Sequence, residues 1–234
     1  MIQAFYGGAA SLRARQTAMD TIANDIANVN TAGYVERDAD FSDLLHDSMV
    51  RPENPAYANE LEGSGAGVSA IVADPSSGSL VQTGSLLDFA PRGEGFFAVR
   101  DTQGTVSYTR DGTFTAQTEN GATVLVDAQG RTVLDGQGNA VAVRNGAPQA
   151  QPGVFAFAFP QNLTAQGGNL FEASASSGAP QVSDEGVVQG AYETSNVDLS
   201  SEMSSMIVTQ RGFQMNARVV STADQIESYV NELH

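Results

Sequence analysis

The two ends of this chain share a spacing of hydrophobic residues that restricts how the chain can fold. At each end, apolar side chains recur alternately four and three residues apart, which is the heptad pattern of helices that pack side by side. The head seam consists of Phe5, Ala9, Leu12, Gln16, Met19, Ala23 and Ile26. The tail seam consists of Leu199, Met203, Met206, Gln210, Phe213, Ala217 and Val220. We therefore predict a long helix at each end, with the two seams paired as a coiled coil.

Both seams are narrow, and each has a glutamine near its middle, Gln16 and Gln210. A polar residue in a seam lowers stability but fixes the register between helices. Such seams bury too little surface to order about sixty-five terminal residues, because ordering costs ~1–2 kcal/mol per residue. We expect loose ends in the isolated subunit and helices that pack against other copies in an assembly. The predicted subunit contacts are Phe5, Leu12, Gln16, Met19, Ile26, Asn28, Leu199, Met203, Met206, Gln210, Phe213, Ala217 and Val220.

Capping residues predict where these helices begin and end. The head helix is predicted from Ile2 to Val29, because no proline interrupts it and asparagines follow it. The amide-rich stretch 24–30 is either this cap or a polar contact strip between subunits. In the tail, Ser195 or Asn196 is the predicted N-cap. Gly212 lies inside the tail helix, where either the close approach of another helix or a bend would explain a glycine.

The middle of the chain has the pattern of short strands joined by tight turns. The predicted strands are 95–100, 105–110, 113–118 and 154–159. The turn pairs are Asp111-Gly112, Asn120-Gly121, Asp135-Gly136 and Asn145-Gly146. Such pairs between β-rich segments favour type I′ hairpins, which need positive φ at both positions. Frequent turns of this kind indicate a small antiparallel barrel or sandwich.

The predicted fold class is therefore α+β. A discontinuous coiled-coil domain of paired N- and C-terminal helices, residues 1–33 and 195–234, would hold an inserted all-β domain at 79–194. Between them, 34–78 is predicted to be a loop and linker segment, with a strand and short helix at its start. Prolines and glycines within 51–67 predict a flexible linker there.

Charge and composition narrow the range of partners. The chain has 27 acidic residues against 11 basic ones, all arginine, and a net charge of −16, which argues against nucleic acid or anionic lipid as partner. It has no cysteine, hence no disulfide or thiolate chemistry. The amino terminus lacks a basic region followed by an apolar block, so no ordinary signal peptide is expected. No apolar run is long enough to predict a membrane span.

The sequence offers no recognisable catalytic constellation. Without lysine there is neither a Walker A lysine nor a Schiff base, and there is no Gly-x-Ser-x-Gly elbow. His46 and His234 do not lie in a metal-ligand spacing. Asp101 and Asp111 begin predicted turns, where aspartate is expected for backbone reasons. The segment 135–139 is predicted to be a turn rather than a calcium loop. We predict no enzymatic activity, no metal and no cofactor.

Four segments of the chain, in the same order, resemble the flagellar basal-body rod and hook protein family. The first is 24–34, with its asparagines and Gly33-Tyr34, and the second is 84–90 with 93–99. The third is Tyr108-Thr109-Arg110-Asp111-Gly112-Thr113-Phe114. The fourth is Glu193-Thr194-Ser195-Asn196-Val197-Asp198, followed by Gln210-Arg211-Gly212-Phe213-Gln214. Within the family, segments 207–216 and 167–171 resemble the distal rod members most.

The resemblance implies a fold and a role. Terminal helices would form an inner coiled-coil core, and the β domain an outer layer. Subunits would stack helically into a hollow rod outside the cytoplasmic membrane that transmits torque from motor to hook. The implied partners are further copies, other rod and hook proteins, and the flagellar type III export apparatus, with no nucleic acid and no small-molecule substrate. The loop 51–68 would contact neighbouring subunits.

Three other interpretations remain open from the sequence. A proximal rod protein or a short hook-like axial protein fits the same segments. A secreted glycan-binding or glycan-active β domain with oligomerisation helices belongs to a different class, and the absence of tryptophan argues against it. A coiled-coil adaptor is disfavoured by the hairpin-rich middle. Rods or stacks in electron micrographs would indicate an axial protein, and discrete oligomers would indicate the other classes.

Overall fold

The computed structural model describes residues 2–44, 47–48, 61–62, 65–119, 121–183 and 186–232. Helix α1 spans Ile2–Ala27 and helix α2 spans Leu199–Glu232, with a strand-rich region between them. The α+β class predicted from the sequence is confirmed. The head helix ends within two residues of its predicted limit, because the chain turns at Asn28.

The described strands between the helices are short. In chain order they are β1 (Arg37–Asp43), β2 (Asp47–Ser48), β3 (Leu61–Glu62), β4 (Ala66–Ala73), β5 (Leu80–Gln82), β6 (Phe89–Pro91), β7 (Phe96–Arg100), β8 (Val106–Thr109), β9 (Thr115–Glu119), β10 (Ala122–Val126), β11 (Thr132–Val133), β12 (Val143–Arg144), β13 (Ala147–Pro148), β14 (Val154–Ala156), β15 (Thr164–Gly167), β16 (Leu170–Glu172), β17 (Gln181–Val182), β18 (Val187–Gln189) and β19 (Ala191–Glu193). A 3-10 helix spans Pro160–Asn162.

The chain forms two compact units. The helical unit consists of Met1–Ile26, Arg37–Val72 and Leu199–His234, and the β unit of Ala27–Glu36 and Ala73–Asp198. The division at 33, 78 and 194 predicted from the sequence stays a prediction. The predicted linker 51–67 lies mostly outside the described residues, and its described part contains β3 and the start of β4, which pairs with β1. Of the strand and short helix predicted within 34–49, the strand is present as β1, and the described residues of that segment contain no helix.

The β unit is built around one antiparallel sheet. Its strand order is β15-β16-β8-β7-β11-β10-β9, and β14 joins β7 on one side and β17 on the other. Strand β7 lies centrally, since Phe97 pairs with Thr109 of β8 and with Val154 of β14. Among the described strands the path is open at β15 and β9, so the predicted barrel does not close. The antiparallel pairing itself agrees with the prediction.

Strand β7 separates two hydrophobic clusters. Its side chains alternate between the faces of the sheet, so Phe97 and Val99 enter one cluster while Phe96 and Ala98 enter the other. All four are buried. The first cluster also contains Phe89, Phe114, Leu125, Val133, Val141, Val143, Val154 and Leu170. The second also contains Val35, Tyr108, Leu134, Phe157, Leu163 and Phe171. The β unit therefore has a core on both faces of its central strand.

The four predicted hairpin turns do not all form hairpins. Asn145 and Gly146 have φ of +54° and +77° and join β12 to β13, where Arg144 pairs with Ala147, which is the predicted type I′ geometry. The hairpin predicted at Asp111-Gly112 is wrong, because β8 pairs with β7 and β16 whereas β9 pairs with β10. Gly112 instead accepts a hydrogen bond from the Phe89 backbone N–H, 3.0 Å away.

Three loops with the pattern Asp-x-Gln-Gly share one backbone arrangement. They begin at Asp101, Asp127 and Asp135. In each, Oδ1 of the aspartate accepts backbone N–H groups two and four residues further on, at 2.8 to 2.9 Å. The glycine three residues after the aspartate has φ of +91°, +81° or +83°. The turn roles predicted for Asp101 and for segment 135–139 are confirmed, since these oxygens are occupied by the backbone.

Asp111 is a partly buried carboxyl whose surroundings disfavour its charged form. Burial raises its pKa, bonds from Thr113 N–H and Oγ1 at 2.9 and 2.6 Å lower it, and the nearby charges of Asp127 and Asp88 raise it further. A carboxyl with a raised folded-state pKa contributes stability below its unfolded pKa of about 4, and this contribution is lost as pH rises through the folded pKa.

We therefore expect Asp111→Asn to lose less stability than the wild type as pH rises from about 4 to 7. The amide keeps the oxygen that Thr113 binds but cannot ionise. Urea unfolding followed across this pH range measures the difference. Asp101→Asn is the matched control, because its carboxylate likewise accepts two hydrogen bonds, both of them from backbone N–H groups, but lies in a more exposed loop. Equal pH slopes for the wild type and Asp111→Asn would contradict the assignment.

Candidate subunit interface

The two long helices run antiparallel within the helical unit. A Cβ at Gly8 of α1 would lie 2.7 Å from Cγ2 of Val220, and a Cβ at Gly212 would lie 2.7 Å from Cζ of Arg15. The earlier residue of α1 thus faces the later residue of α2, and the later residue of α1 faces the earlier one, as in an antiparallel pair. The two explanations for Gly212 stay predictions, because the atoms nearest to an added Cβ belong to the end of the flexible Arg15 side chain, which can move aside.

The most buried face of α1 is not the predicted head seam. Ala14, Ala18 and Thr21 are nearly inaccessible, and they line grooves together with residues of α2 and β1. This face lies roughly opposite the head seam. Each residue advances about 100° around a helix, and the two sets of residues are offset by two positions. The larger seam residues Leu12, Met19 and Ile26 are only half-buried, Gln16 is exposed, and the side chain of Phe5 lies outside the described part.

The predicted tail seam lies partly on the paired face of α2 and partly in solvent. Its half-buried members are Met206, Phe213, Ala217 and Val220, and its exposed members are Leu199, Met203 and Gln210. The residues buried most deeply on α2 are Glu202 and Thr209, each one position before a seam residue. The seam is therefore rotated relative to the face that α2 buries within the subunit.

Asn28 lies where α1 ends. Its side-chain oxygen accepts a hydrogen bond from Thr31 Oγ1 at 3.2 Å, and its carbonyl accepts the Thr31 N–H at 2.9 Å. These bonds close the turn after the helix, as expected for a capping residue. The polar contact between subunits predicted for Asn28 stays a prediction.

Helix α2 carries an exposed hydrophobic stripe that the heptad count missed. Val208, Met215, Val219 and Ile226 are 65%, 66%, 57% and 47% exposed. They follow one another by seven, four and seven residues, which places them on one side of a helix. The same spacing rule identifies this stripe in the sequence, but a search for a single seam selects only one of the two. An exposed apolar patch of this kind marks an interaction surface. We call these four residues the outer stripe.

The two-stranded β1–β4 sheet contributes a groove and an acidic edge to the helical unit. A groove of about 380 Å³ is lined by Ser11, Ala14, Arg15, Phe41, Ala66 and Asn216. On β1, Asp38, Asp40 and Asp43 are exposed. Among the described residues, no group of three histidine or acidic side chains could hold a metal ion. Nor does either helix, as far as it is described, contain an apolar stretch able to cross a membrane.

Comparison with known proteins agrees with this arrangement at both ends. Residues 6–34 match the family model described as flagella basal body rod protein, and residues 188–233 match the model described as flagellar basal body rod FlgEFG protein C-terminal. These two matches contain most of α1 and all of α2. The fold and the matches together define a structural protein of the bacterial flagellum.

Full-length relatives narrow this class. The chain is 34% identical to the flagellar basal-body rod protein FlgG of Agrobacterium fabrum, over 96% of each chain. It is 32% identical to FlgG of Borreliella burgdorferi, over 100% of this chain and 99% of the relative. It is also 28% identical to the flagellar hook-basal body complex protein FlhP of Bacillus subtilis, over 100% of both. The chain belongs to the family of flagellar basal-body rod proteins.

Within that family it is a structural subunit of the distal rod, and its location is the flagellar basal body. The resemblance seen in the four sequence segments is confirmed. The family decides between the classes that the sequence left open, since an axial rod protein is a structural subunit and not a glycan-binding domain. Assembly with copies of itself and with other flagellar components follows from being a rod subunit.

Proposed function

We propose that this rod subunit polymerises helically into a hollow shaft that transmits torque, and that its two terminal helices carry the contacts between subunits. The observation that carries the proposal is the outer stripe of α2. Four large hydrophobic side chains on one side of a helix stay in water in the single subunit. Burying them against another copy would remove apolar surface from water, which is favourable by ~25 cal/mol per Å².

The half-buried head seam supports the same proposal. Leu12, Met19 and Ile26 lie on the side of α1 away from its buried alanines. Leu199 and Met203 of the tail seam are exposed as well. Knobs-into-holes packing of these residues against neighbouring helices would form a coiled coil between copies rather than only within one. The seams predicted from the sequence would then act mainly between subunits.

Export in an unfolded state through the flagellar type III apparatus is consistent with terminal helices that become stable only when they pack against neighbouring subunits. In α2, Asp224, Gln225 and Ile226 are all exposed, so the last turns have few contacts within the subunit that would hold them. A helix without such packing is marginal in water. We propose that the ends are loose in the monomer, become ordered on assembly, and meet the export apparatus, rod copies and other rod and hook proteins as partners.

No reaction is part of this function. The subunit acts through the mechanics of the polymer, without substrate, metal or cofactor, and its net charge of −16 makes nucleic acid an unfavourable partner. The groove beside Arg15 and Phe41 is proposed to receive part of an adjoining copy.

Deletion of 220–234 tests the proposal. In a bacterium that lacks its own distal rod protein, we expect the full-length chain to restore rods and swimming, and the truncated chain to restore neither. Helical reconstruction from electron micrographs of the purified polymer should show α1 and α2 lining its interior. Normal rods and swimming with the truncated chain would refute helix-mediated assembly, and a wild-type subunit that stays monomeric at high concentration would refute polymerisation itself.

A further inference from the structure

The chain passes between its two units at four places, and the β unit holds the connecting segments together at one site. The passages follow Ile26, Glu36, Val72 and Asp198. A single polar side chain within the β unit, Asn196, bonds to two segments that end at these passages. A buried ion pair lies beside it. Both features belong to segments that carry the family resemblance, 108–114 and 193–198.

Asn196 uses both ends of its amide. Its Oδ1 accepts the backbone N–H of Glu36 at 2.7 Å. Its Nδ2 donates to the carbonyls of Asp74 and Ser76, each at 3.2 Å. The Asp74 N–H in turn donates to the Glu36 carbonyl at 2.9 Å. Asn196 therefore joins the segment before β1, the segment after β4 and the segment that leads to α2. The prediction that Ser195 or Asn196 caps α2 is wrong, because α2 begins at Leu199. The Ser195 hydroxyl instead accepts the Val197 N–H at 3.3 Å, and the distant carbonyls of Asp74 and Ser76 engage the amide of Asn196.

Arg110 and Glu193 fix the same segments from inside the β unit. Arg110 is 1% exposed, and its guanidinium donates to the carbonyls of Ser76 at 2.8 Å and Gly93 at 3.1 Å. Its Nη1 lies 3.5 Å from Oε1 of Glu193. That oxygen also accepts the Gly78 N–H at 2.6 Å. The segment 76–78 is thus bonded to the arginine, to the glutamate and to Asn196.

The first connecting segment reaches the same place through its backbone. The Gly33 N–H donates to the Glu193 carbonyl at 2.8 Å. A Cβ at Gly33 would lie 2.3 Å from the carbonyl carbon of Arg110, so this segment passes directly over the arginine. All connecting segments of the β unit therefore converge on three side chains.

The charges of this site indicate a purpose other than maximal stability. Burial lowers the pKa of Arg110, although Glu193, Glu94 and Asp74 act to raise it. Burial raises the pKa of Glu193, which the charge of Arg110 and the Gly78 bond lower. Replacing a buried ion pair with apolar residues of equal size is often neutral or stabilising, and in some proteins the pair serves instead to specify one geometry. At this site the ion pair would fix the position at which the connecting segments meet.

We propose that Arg110, Glu193 and Asn196 form a connector clamp, which holds the connecting segments at one point so that mechanical load on them reaches the β unit there. The mechanical part rests on the proposed function as a torque-transmitting subunit. The clamp itself is a property of the single chain. The two parts can therefore be tested separately.

Hydrogen exchange on the full-length subunit tests the clamp. In Asn196→Ala we expect the Glu36 amide to exchange at least about tenfold faster, since it loses its acceptor. The double variant R110M/E193L removes both buried charges together and should accelerate the Gly78 amide in the same way. Amides of β7 should stay protected in both variants. Arg131→Met is the matched control, because it breaks the ion pair to Asp127 in a loop of the same unit and should leave Glu36 and Gly78 unchanged.

Two exchange results would overturn the clamp. One is unchanged protection of Glu36 and Gly78 in the variants. The other is an equal loss of protection throughout β7, which would make these three residues ordinary parts of the core.

Swimming under load tests the mechanical part. We expect cells carrying Asn196→Ala to assemble rods and swim in dilute buffer, but to lose at least about half of their speed in viscous medium relative to cells with Arg131→Met. Equal speeds at every viscosity would show that the clamp bears no load, while rod assembly and the proposed function would stand. If even wild-type subunits formed no rods, the proposed function would fail, and the exchange results would still decide whether the clamp exists.

Discussion

Replacing Gly112 with alanine is expected to destabilise the β unit by at least ~3 kcal/mol. A Cβ at this position would lie 1.5 Å from the Phe89 carbonyl oxygen and 3.2 Å from Cε2 of Phe97. Both phenylalanines are buried, so neither side chain can move without opening the core. The backbone of Gly112 is also bonded to the Phe89 N–H, which prevents the segment from moving aside.

Urea unfolding of the full chain, monitored by tyrosine fluorescence, measures this loss. Gly104→Ala is the matched control, because Gly104 has φ of +91° but no atom within 4 Å of an added Cβ. Its cost should be about 1–2 kcal/mol, the strain of a left-handed alanine. A loss for Gly112→Ala no larger than that for Gly104→Ala would contradict the predicted clash, because Gly112 has no positive φ that could add to its cost.

Replacing Val219 with aspartate should raise the concentration needed for polymerisation more than about a hundredfold. Val219 is 57% exposed. The single subunit should therefore fold normally and keep the circular dichroism spectrum of the wild-type subunit. In the polymer, a carboxylate at this position would be buried without a partner, which costs several kcal/mol. Met215→Asp should act in the same way, because both residues belong to the outer stripe.

Sedimentation at increasing protein concentration measures this threshold. Gln214→Asp adds the same charge to an exposed residue of α2 outside the outer stripe, so it should change the threshold less than about threefold. Phe213→Asp gives a different result, since Phe213 is half-buried within the subunit and its change should loosen α2 as well as assembly. Unimpaired polymerisation of Val219→Asp would exclude the outer stripe from the subunit interface.

Periodicity in the sequence identified the two helices but not the faces they use. Leu12, Met19 and Ile26 stand out in the sequence because they are large. Ala14 and Ala18 bury more completely because small side chains allow close packing around them. A heptad pattern reports which residues are apolar and cannot report which of two stripes meets a partner in the same chain. The outer stripe of α2 remained unnoticed for the same reason.

Turn chemistry was predictable where the decisive contacts are local. Asn145-Gly146 needs only its own positive φ angles, and the aspartate loops need only nearby N–H groups. Asp111-Gly112 has an equally strong hairpin signal, but contact with Phe89 in another strand decides its conformation. Distant contacts also decide the role of Asn196. Local rules for helix caps carry no information about the carbonyls of Asp74 and Ser76, which this side chain binds.

The pairings of this fold are nested, and this has a consequence for the order in which the chain can fold as it is delivered. In the helical unit α1 meets α2, and in the β unit β5 pairs with β19 while β7 pairs with β14. If the chain is exported unfolded through a narrow channel, as proposed above, neither unit can close until nearly the whole chain has emerged, whichever end leads. A half-exported subunit would then have no finished domain to obstruct its own passage, and it would be ready for assembly only when its last residues arrive.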